Sequence, residues 1–216
     1  VSTFLLDQLT PGYQVVTSGP EGTFYHEPLS EGRQLAFIAG GSGITPMMSM
    51  IRDAQQRAWP QQIVLFYGCR TPEELIYHEE FCELAARTPE FTYVPVISEP
   101  PSGFEGQAGL IDAALLRRHL SSPDEFTFYL CGPQAMYDFC HTQLEELSVA
   151  ERRIKRELYG PPQDITASPH WPSEVPAGRE FSVTCNGRTF RALAGEPLLA
   201  AMERAGVVVP ATCRSG

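Results

Sequence analysis

No run in this chain approaches the roughly 20 apolar residues that a bilayer crossing needs, and its first residues lack the basic-then-apolar order of a signal peptide. Positive charge is scarce: 16 Lys and Arg stand against 26 Asp and Glu, a net charge of −10. A field of that sign repels nucleic acid and anionic lipid. The six cysteines (Cys69, Cys82, Cys131, Cys140, Cys185 and Cys213) form no Cys-x-x-Cys pair and no dense disulfide spacing. His26, His78, His119, His141 and His170 show no metal-ligand spacing with one another or with cysteine. There is no Gly-x-Ser-x-Gly elbow to support hydrolase chemistry, no Gly-x-Gly-x-x-Gly, and no Gly-Lys-Ser/Thr to complete a Walker loop. These absences point to a soluble cytoplasmic protein in a reducing compartment, with no membrane span and no nucleic-acid partner.

What is present is a core-forming composition. Of 216 residues, 43% are hydrophobic and 19% charged, which fits a globular fold and gives room for one sizeable α/β domain plus part of another. Short apolar runs at Leu35–Ala39, Ile63–Tyr67, Phe91–Ile97 and Phe126–Leu130, with a weaker one at Arg153–Leu158, alternate with helix-like stretches. In 134–148, for example, Met136, Phe139, Cys140, Gln143, Leu144 and Leu147 fall at helical spacing. Such alternation implies right-handed βαβ crossovers and a doubly wound, five-stranded parallel sheet. Prolines crowd 160–178, a linker; beyond it two strand-like runs flank Asn186-Gly187, a tight hairpin turn, and a helix follows Pro197. At the front, Val1–Leu9 reads as an amphipathic helix and Gln14–Ser18 as a short strand, and both ends read as cut from something larger.

Gly40-Gly41-Ser42-Gly43-Ile44-Thr45-Pro46 follows the first strand and opens a helix. Glycines there let the backbone approach an anion, and the helix-start N–H groups can hold a pyrophosphate; the alternative is an ordinary glycine-rich turn. Cys131-Gly132-Pro133 occupies the analogous place after the fourth strand. If the strand order is 3-2-1-4-5, the two loops flank the topological switch point, where open α/β sheets bind ligands. Cys131 reads either as part of that cleft or as a buried thiol. Arg70, after the second strand, is placed to meet phosphate or base, or to pair with Glu73 or Glu74. Glu99, after Ser98 at the end of the third strand, is placed to accept from a ribose, or to stand as a solvated loop charge. Met136 reads as core packing or as a residue under the nucleotide.

Together, the 38–46 run, Tyr67-Gly68-Cys69-Arg70 and Leu130-Cys131-Gly132-Pro133-Gln134-Ala135-Met136 resemble the nicotinamide-binding domain of the ferredoxin–NADP reductase family. Val1-Ser2 and residues 11–24 are similar to the tail of that family's flavin-binding β-barrel, where Ser2 would help bind the flavin phosphate. The family's Arg-x-Tyr-Ser flavin motif is not in the chain. From Phe181 onward the sequence resembles the opening of a plant-type ferredoxin domain of β-grasp fold, whose ligand run is C-x4-C-x2-C. Cys213 matches the first 2Fe–2S ligand.

The resemblance implies residues 1–32 as a barrel remnant, 33–160 as the NAD(P)H-binding domain, 161–178 as linker and 179–216 as an incomplete ferredoxin-like domain. It implies a reductase in which electrons pass from NADH through FAD or FMN and a 2Fe–2S cluster to a terminal oxygenase or another acceptor protein. The Gly40–Pro46 loop would hold the pyrophosphate, with Gly68, Gly132 and Pro133 beside it. Arg70, Ser98 and Glu99 would face the adenosine half. Cys131 would lie by the nicotinamide, with Glu157 and Tyr159 near the flavin ring. Ser98-Glu99 in place of a Ser-Arg pairing favours NADH over NADPH. The competing reading is a nucleotide-binding scaffold without flavin.

Overall fold

A computed structural model describes residues 2–16, 19, 22–28, 31–57, 60–158, 164–167 and 171–209. Its centre is a six-stranded, all-parallel sheet built from β1 (Gln34–Gly40), β2 (Gln62–Cys69), β3 (Phe91–Ile97), β4 (Gln107–Ala108), β5 (Thr127–Cys131) and β6 (Ile154–Glu157). The order is β4-β3-β2-β1-β5-β6, so the chain winds one way from β1 and returns across it to wind the other. The five expected strands form, and their order meets the condition under which the loops after β1 and β5 flank the switch point. The sixth, β4, adds two residues at the edge, with Val96 opposite Gln107 and Ile97 opposite Ala108.

The central strands are apolar throughout because both faces of the sheet are covered. Leu35, Phe37 and Ala39 of β1, with Leu65, Tyr67 and Tyr129, face α2 (Ile44–Gln56) and α3 (His78–Arg87). Their neighbours Ala36, Ile38, Val64, Phe66, Phe128 and Leu130 face α4 (Ala113–His119) and α5 (Gln134–Glu146). The period-2 alternation of a strand thus feeds two cores rather than one.

Before the sheet, α1 (Ser2–Gln8) forms as expected. The expected strand at Gln14–Ser18 does not form over its described residues: Gln14, Val15 and Val16 are exposed, without strand pairing. An isolated strand-prone run has no ladder partner to stabilise it. Beyond residue 178, β7 (Glu180–Cys185) and β8 (Arg188–Leu193) form an antiparallel hairpin, followed by α6 (Leu198–Arg204). Asn186 and Gly187 take φ of 50° and 74°, the positive pair that a two-residue turn between right-twisted strands demands. Among the described residues no helix is long and apolar enough to cross a membrane.

Candidate functional site

The carboxyl ends of β1, β2 and β3 open into a cavity of about 620 Å³ on the side covered by α5. Gly40 and Gly41 border it from the first strand, Gly68 to Arg70 from the second, and Val96 and Ser98 from the third. Ile111, Pro133, Met136 and Phe139 supply an apolar wall. Two turns that are distant in sequence therefore meet at one cleft, as expected for a switch point.

Their contact is set by Gly43. A Cβ there would lie 2.1 Å from the Cys131 carbonyl oxygen and 2.9 Å from the Gly132 nitrogen, so only glycine lets the β1–α2 turn touch the β5–α5 turn. At Gly40 a Cβ would come 2.6 Å from Met136 Sδ, and at Gly132 2.4 Å from Met136 Cε. Met136 thus lies across both glycines at the cavity, half-buried, rather than deep in the core. Gly41 has φ +52° and open space where a Cβ would be.

Residues 41–43 form a 3-10 turn that runs directly into α2. Thr45 Oγ1 donates to the Ser42 carbonyl at 3.0 Å, tightening that turn, while Pro46 sits in the first turn of α2, where its missing N–H costs no helical bond. The Tyr67 hydroxyl donates to the Gly41 carbonyl at 2.9 Å and accepts from the Ile76 N–H at 3.2 Å, tying the glycine turn to the loop before α3. Burial raises the Tyr67 pKa far above that of a free phenol, so this donor keeps its proton. Burial likewise pushes the Cys140 thiol up to about 12 and raises that of Cys69, so neither thiol at the cavity brings a negative charge to it.

Arg70 is the one cation lining the cavity among the described residues, and it forms the alternative expected pair. Its Nη2 donates to Glu74 Oε1 at 2.7 Å, and its backbone N–H donates to Glu74 Oε2 at 3.2 Å. Glu74 also lines the cavity; Glu99 does not, although its N–H donates to the Arg70 carbonyl at 2.8 Å. Sequence reasoning left Glu74 as a mere surface partner and gave Tyr67 no role. The signal for Tyr67 was its place one residue before the β2 glycine.

Cys131 is 1% exposed; its side chain packs in the core under α2 and does not line the cavity. Beside it in register stands Glu157 of β6, half-buried. Ser42 and Thr45 are exposed on the outer side of the turn. Ser2 begins α1, but its side chain, like Tyr159 and Cys213, lies outside the described residues. No group of three or more His, Cys, Asp or Glu that could hold a metal ion exists among the described residues.

Residues 37–142 match the oxidoreductase NAD-binding domain, and residues 178–216 match a 2Fe–2S iron–sulfur cluster binding domain. The chain is 34% identical over 158 residues to one subunit of the Na(+)-translocating NADH-quinone reductase of Neisseria gonorrhoeae. That match takes in 70% of this chain but only 38% of the relative's length. Among solved structures, the Amycolatopsis cytochrome P450 reductase GcoB is similar with TM-score 0.61 and 30% identity, over 73% of this chain and 47% of that one. The ferredoxin reductase in carbazole 1,9a-dioxygenase follows with TM-score 0.54 and 27% identity, over 65% and 41%. By its two domain matches, the chain carries an oxidoreductase NAD-binding domain followed by a 2Fe–2S domain, and it shares its fold with reductase structures such as GcoB.

Proposed function

We propose that this chain is the nucleotide-binding part of an NADH-dependent reductase, cytoplasmic in its site of action, that passes electrons through a flavin and a 2Fe–2S cluster to an acceptor protein, a terminal oxygenase being the acceptor we favour. The observation that carries the reading is the glycine-bordered cavity at the switch point of the sheet, with Gly40, Gly41 and Gly68 lining it at the ends of two strands. Such a cradle fits a pyrophosphate: the backbone N–H groups at the start of α2 and the helix dipole behind them favour an anion there.

In this reading the residues have separate tasks. Gly40 and Gly41 admit the pyrophosphate, with Ser42, Thr45 and Pro46 shaping the turn, and Tyr67 holds the Gly41 carbonyl so that the turn does not re-form on binding. Ile111 and Phe139 offer apolar contact to the ring systems beside Gly68 and Pro133, and Gly132 leaves room for Met136, which lies at the cavity. Arg70, Ser98 and Glu99 define the adenosine end. Cys131 and Glu157, adjacent at the carboxyl end of the sheet, would stand where the nicotinamide meets the flavin, with Tyr159 following and Ser2 toward the flavin phosphate. Cys213 would be a cluster ligand. The flavin supplies the conversion of a hydride into single electrons, and the cluster carries them.

The test is an absorption spectrum of the longest natural form of the protein before and after anaerobic addition of NADH. Flavin bands with a broad iron–sulfur shoulder, both bleached by NADH, are expected. A protein that stays colourless after reconstitution with flavin, iron and sulfide would overturn the proposal in favour of a nucleotide-binding scaffold.

A further inference from the structure

Three sulfur-bearing side chains line the cavity among the described residues: Cys69, Met136 and Cys140. Burial raises the pKa of both thiols, so they stay protonated and are poor nucleophiles toward an oxidant. A thioether needs no deprotonation to react. Met136 is half-buried in the first turn of α5, whereas Met47 and Met48 are buried in the core under α2. Its side chain also rests directly on backbone: a carbon added at Gly40 would lie 2.6 Å from Sδ and 3.1 Å from Cε, and one added at Gly132 would lie 2.4 Å from Cε. Pro133 closes in on the same place, its Cδ 3.0 Å from the carbon added at Gly40. No further heavy atom fits between this thioether and the two turns beneath it. Room for one more atom on the sulfur therefore lies on the cavity side.

We propose that Met136 is a modification site, oxidised at Sδ by a hydroperoxide, and that its sulfoxide shuts the nucleotide out of the cavity. The inference rests on the reading of this cavity as the nucleotide site. In the reaction a sulfur lone pair attacks the peroxide, and the S–O bond forms as the O–O bond breaks. The sulfur loses two electrons and the peroxide gains them. With hydrogen peroxide, the proton on the transferred oxygen passes to the departing hydroxide, which leaves as water. The product is a polar, chiral group in place of a flexible apolar one. Its surroundings are Ile111, Pro133 and Phe139, which offer it no side-chain donor. Because the glycine side is filled, the new oxygen projects into the cavity. There it takes volume that a nucleotide needs, and it must lose its water when one enters.

The 216-residue chain, labelled with carbon-13 at its methionine methyl groups, is treated with hydrogen peroxide and then with a thiol reductant that reverses cysteine oxidation. NMR follows each methionine and the binding of ADP-ribose. Oxidation of Met136 is expected to weaken that binding about tenfold, the effect of one polar group left unpaired. Methionine sulfoxide reductases, one for each sulfoxide epimer, are expected to restore it. Met136→Leu keeps an apolar side chain of similar volume without the sulfur, and its affinity is expected to be the same before and after peroxide. In the converse chain, Met50→Leu/Met202→Leu, the other two half-buried methionines are gone, and peroxide should weaken binding as it does in the wild type. The modification is overturned, while the nucleotide site stands, if Met136 stays reduced when Met50 and Met202 are oxidised, if its sulfoxide leaves the affinity unchanged, or if Met136→Leu loses affinity as the wild type does. If the untreated chain does not bind ADP-ribose at millimolar concentration, the nucleotide reading falls, and the proposal with it.

Discussion

At Gly43 the smallest side chain would already be too large, because every near neighbour of an added Cβ is backbone: the Cys131 carbonyl carbon and oxygen and the Gly132 nitrogen. Backbone at two strand ends cannot rotate aside as a flexible side chain can. Gly43→Ala is therefore expected to cost about 1–3 kcal/mol, as overpacking of a close-packed interior does. Gly41→Ala meets no atom within 4 Å and pays only for its positive φ, about 1 kcal/mol. Urea denaturation of both variants checks this, and a Gly43→Ala midpoint at or above that of Gly41→Ala would contradict the close-approach argument. The glycines were legible from sequence because a strand, a glycine cluster and a helix follow in that order. Which glycine was needed for which reason was not, since Gly43 answers to Cys131, far away in the chain. Glu74 was hidden for a related reason: in sequence it is one acid of the adjacent pair Glu73 and Glu74, and only the 3-10 turn decides which of them faces Arg70.

Among the elements, the segment that leads into β1 is fastened to the sheet by a buried polar cluster at the end opposite the cavity. Glu31 accepts from Lys155 at 2.7 Å, from the Tyr129 hydroxyl and from the Glu27 N–H at 2.8 Å, and its side chain is 9% exposed. Burial by itself would raise the Glu31 pKa, but the hydrogen bonds from Lys155, Tyr129 and the Glu27 N–H outweigh it and hold the carboxyl below its usual 4.5. His26 lies 3.3 Å from both Glu31 and Tyr129, and burial holds its pKa below the usual 6.5 despite the carboxylate. Both shifts are depressions, so both stabilise the fold above the unfolded-state values and are lost as pH falls through the folded ones. Stability should thus decline in two stages, first below pH 6.5 as His26 is forced to charge and then below pH 4.5 as Glu31 is protonated. Urea midpoints measured from pH 7 to pH 3 should, in Glu31→Gln, fall more steeply than in the wild type between pH 6.5 and 4.5, because Glu31 raises the His26 pKa, and less steeply below pH 4.5; parallel curves would show that the cluster carries none of the acid sensitivity. Five of the six strands were legible because parallel strands covered on both faces are continuous apolar runs. β4 was not, because two residues carry no periodicity. The false strand at Gln14–Ser18 had propensity without a partner, and nothing described in the sheet lies next to it.

For the whole molecule, the decisive quantity is where the buried apolar surface lies. Apart from Ala192, Ala201 and Val207, every buried apolar residue described falls between Leu35 and Ile154. The hairpin β7–β8 and α6 form a unit whose outer side chains Phe181, Leu193 and Leu198 are each more than 40% exposed. A unit of this size, below about 40 residues, is at the limit at which a chain can bury enough surface to fold unaided. The proline-rich stretch between it and the sheet offers a protease no regular backbone pairing over Asp164–Ala167 beyond a short 3-10 turn. Limited proteolysis should therefore cut within 161–178 and leave a resistant core corresponding to residues 33–158, while the C-terminal piece is degraded. Removing residues 161–216 should move the melting temperature of the α/β core by less than about 2 °C, the low end of the shift that 1 kcal/mol produces in a domain of about 150–250 residues. A larger fall, or first cleavage inside the sheet, would mean that the 2Fe–2S-type unit packs on the core and shares its stability. Independence would instead fit the division of labour in the proposed electron path, with the nucleotide held by a preformed α/β frame and the C-terminal unit drawing much of its stability from the cluster it is matched to bind.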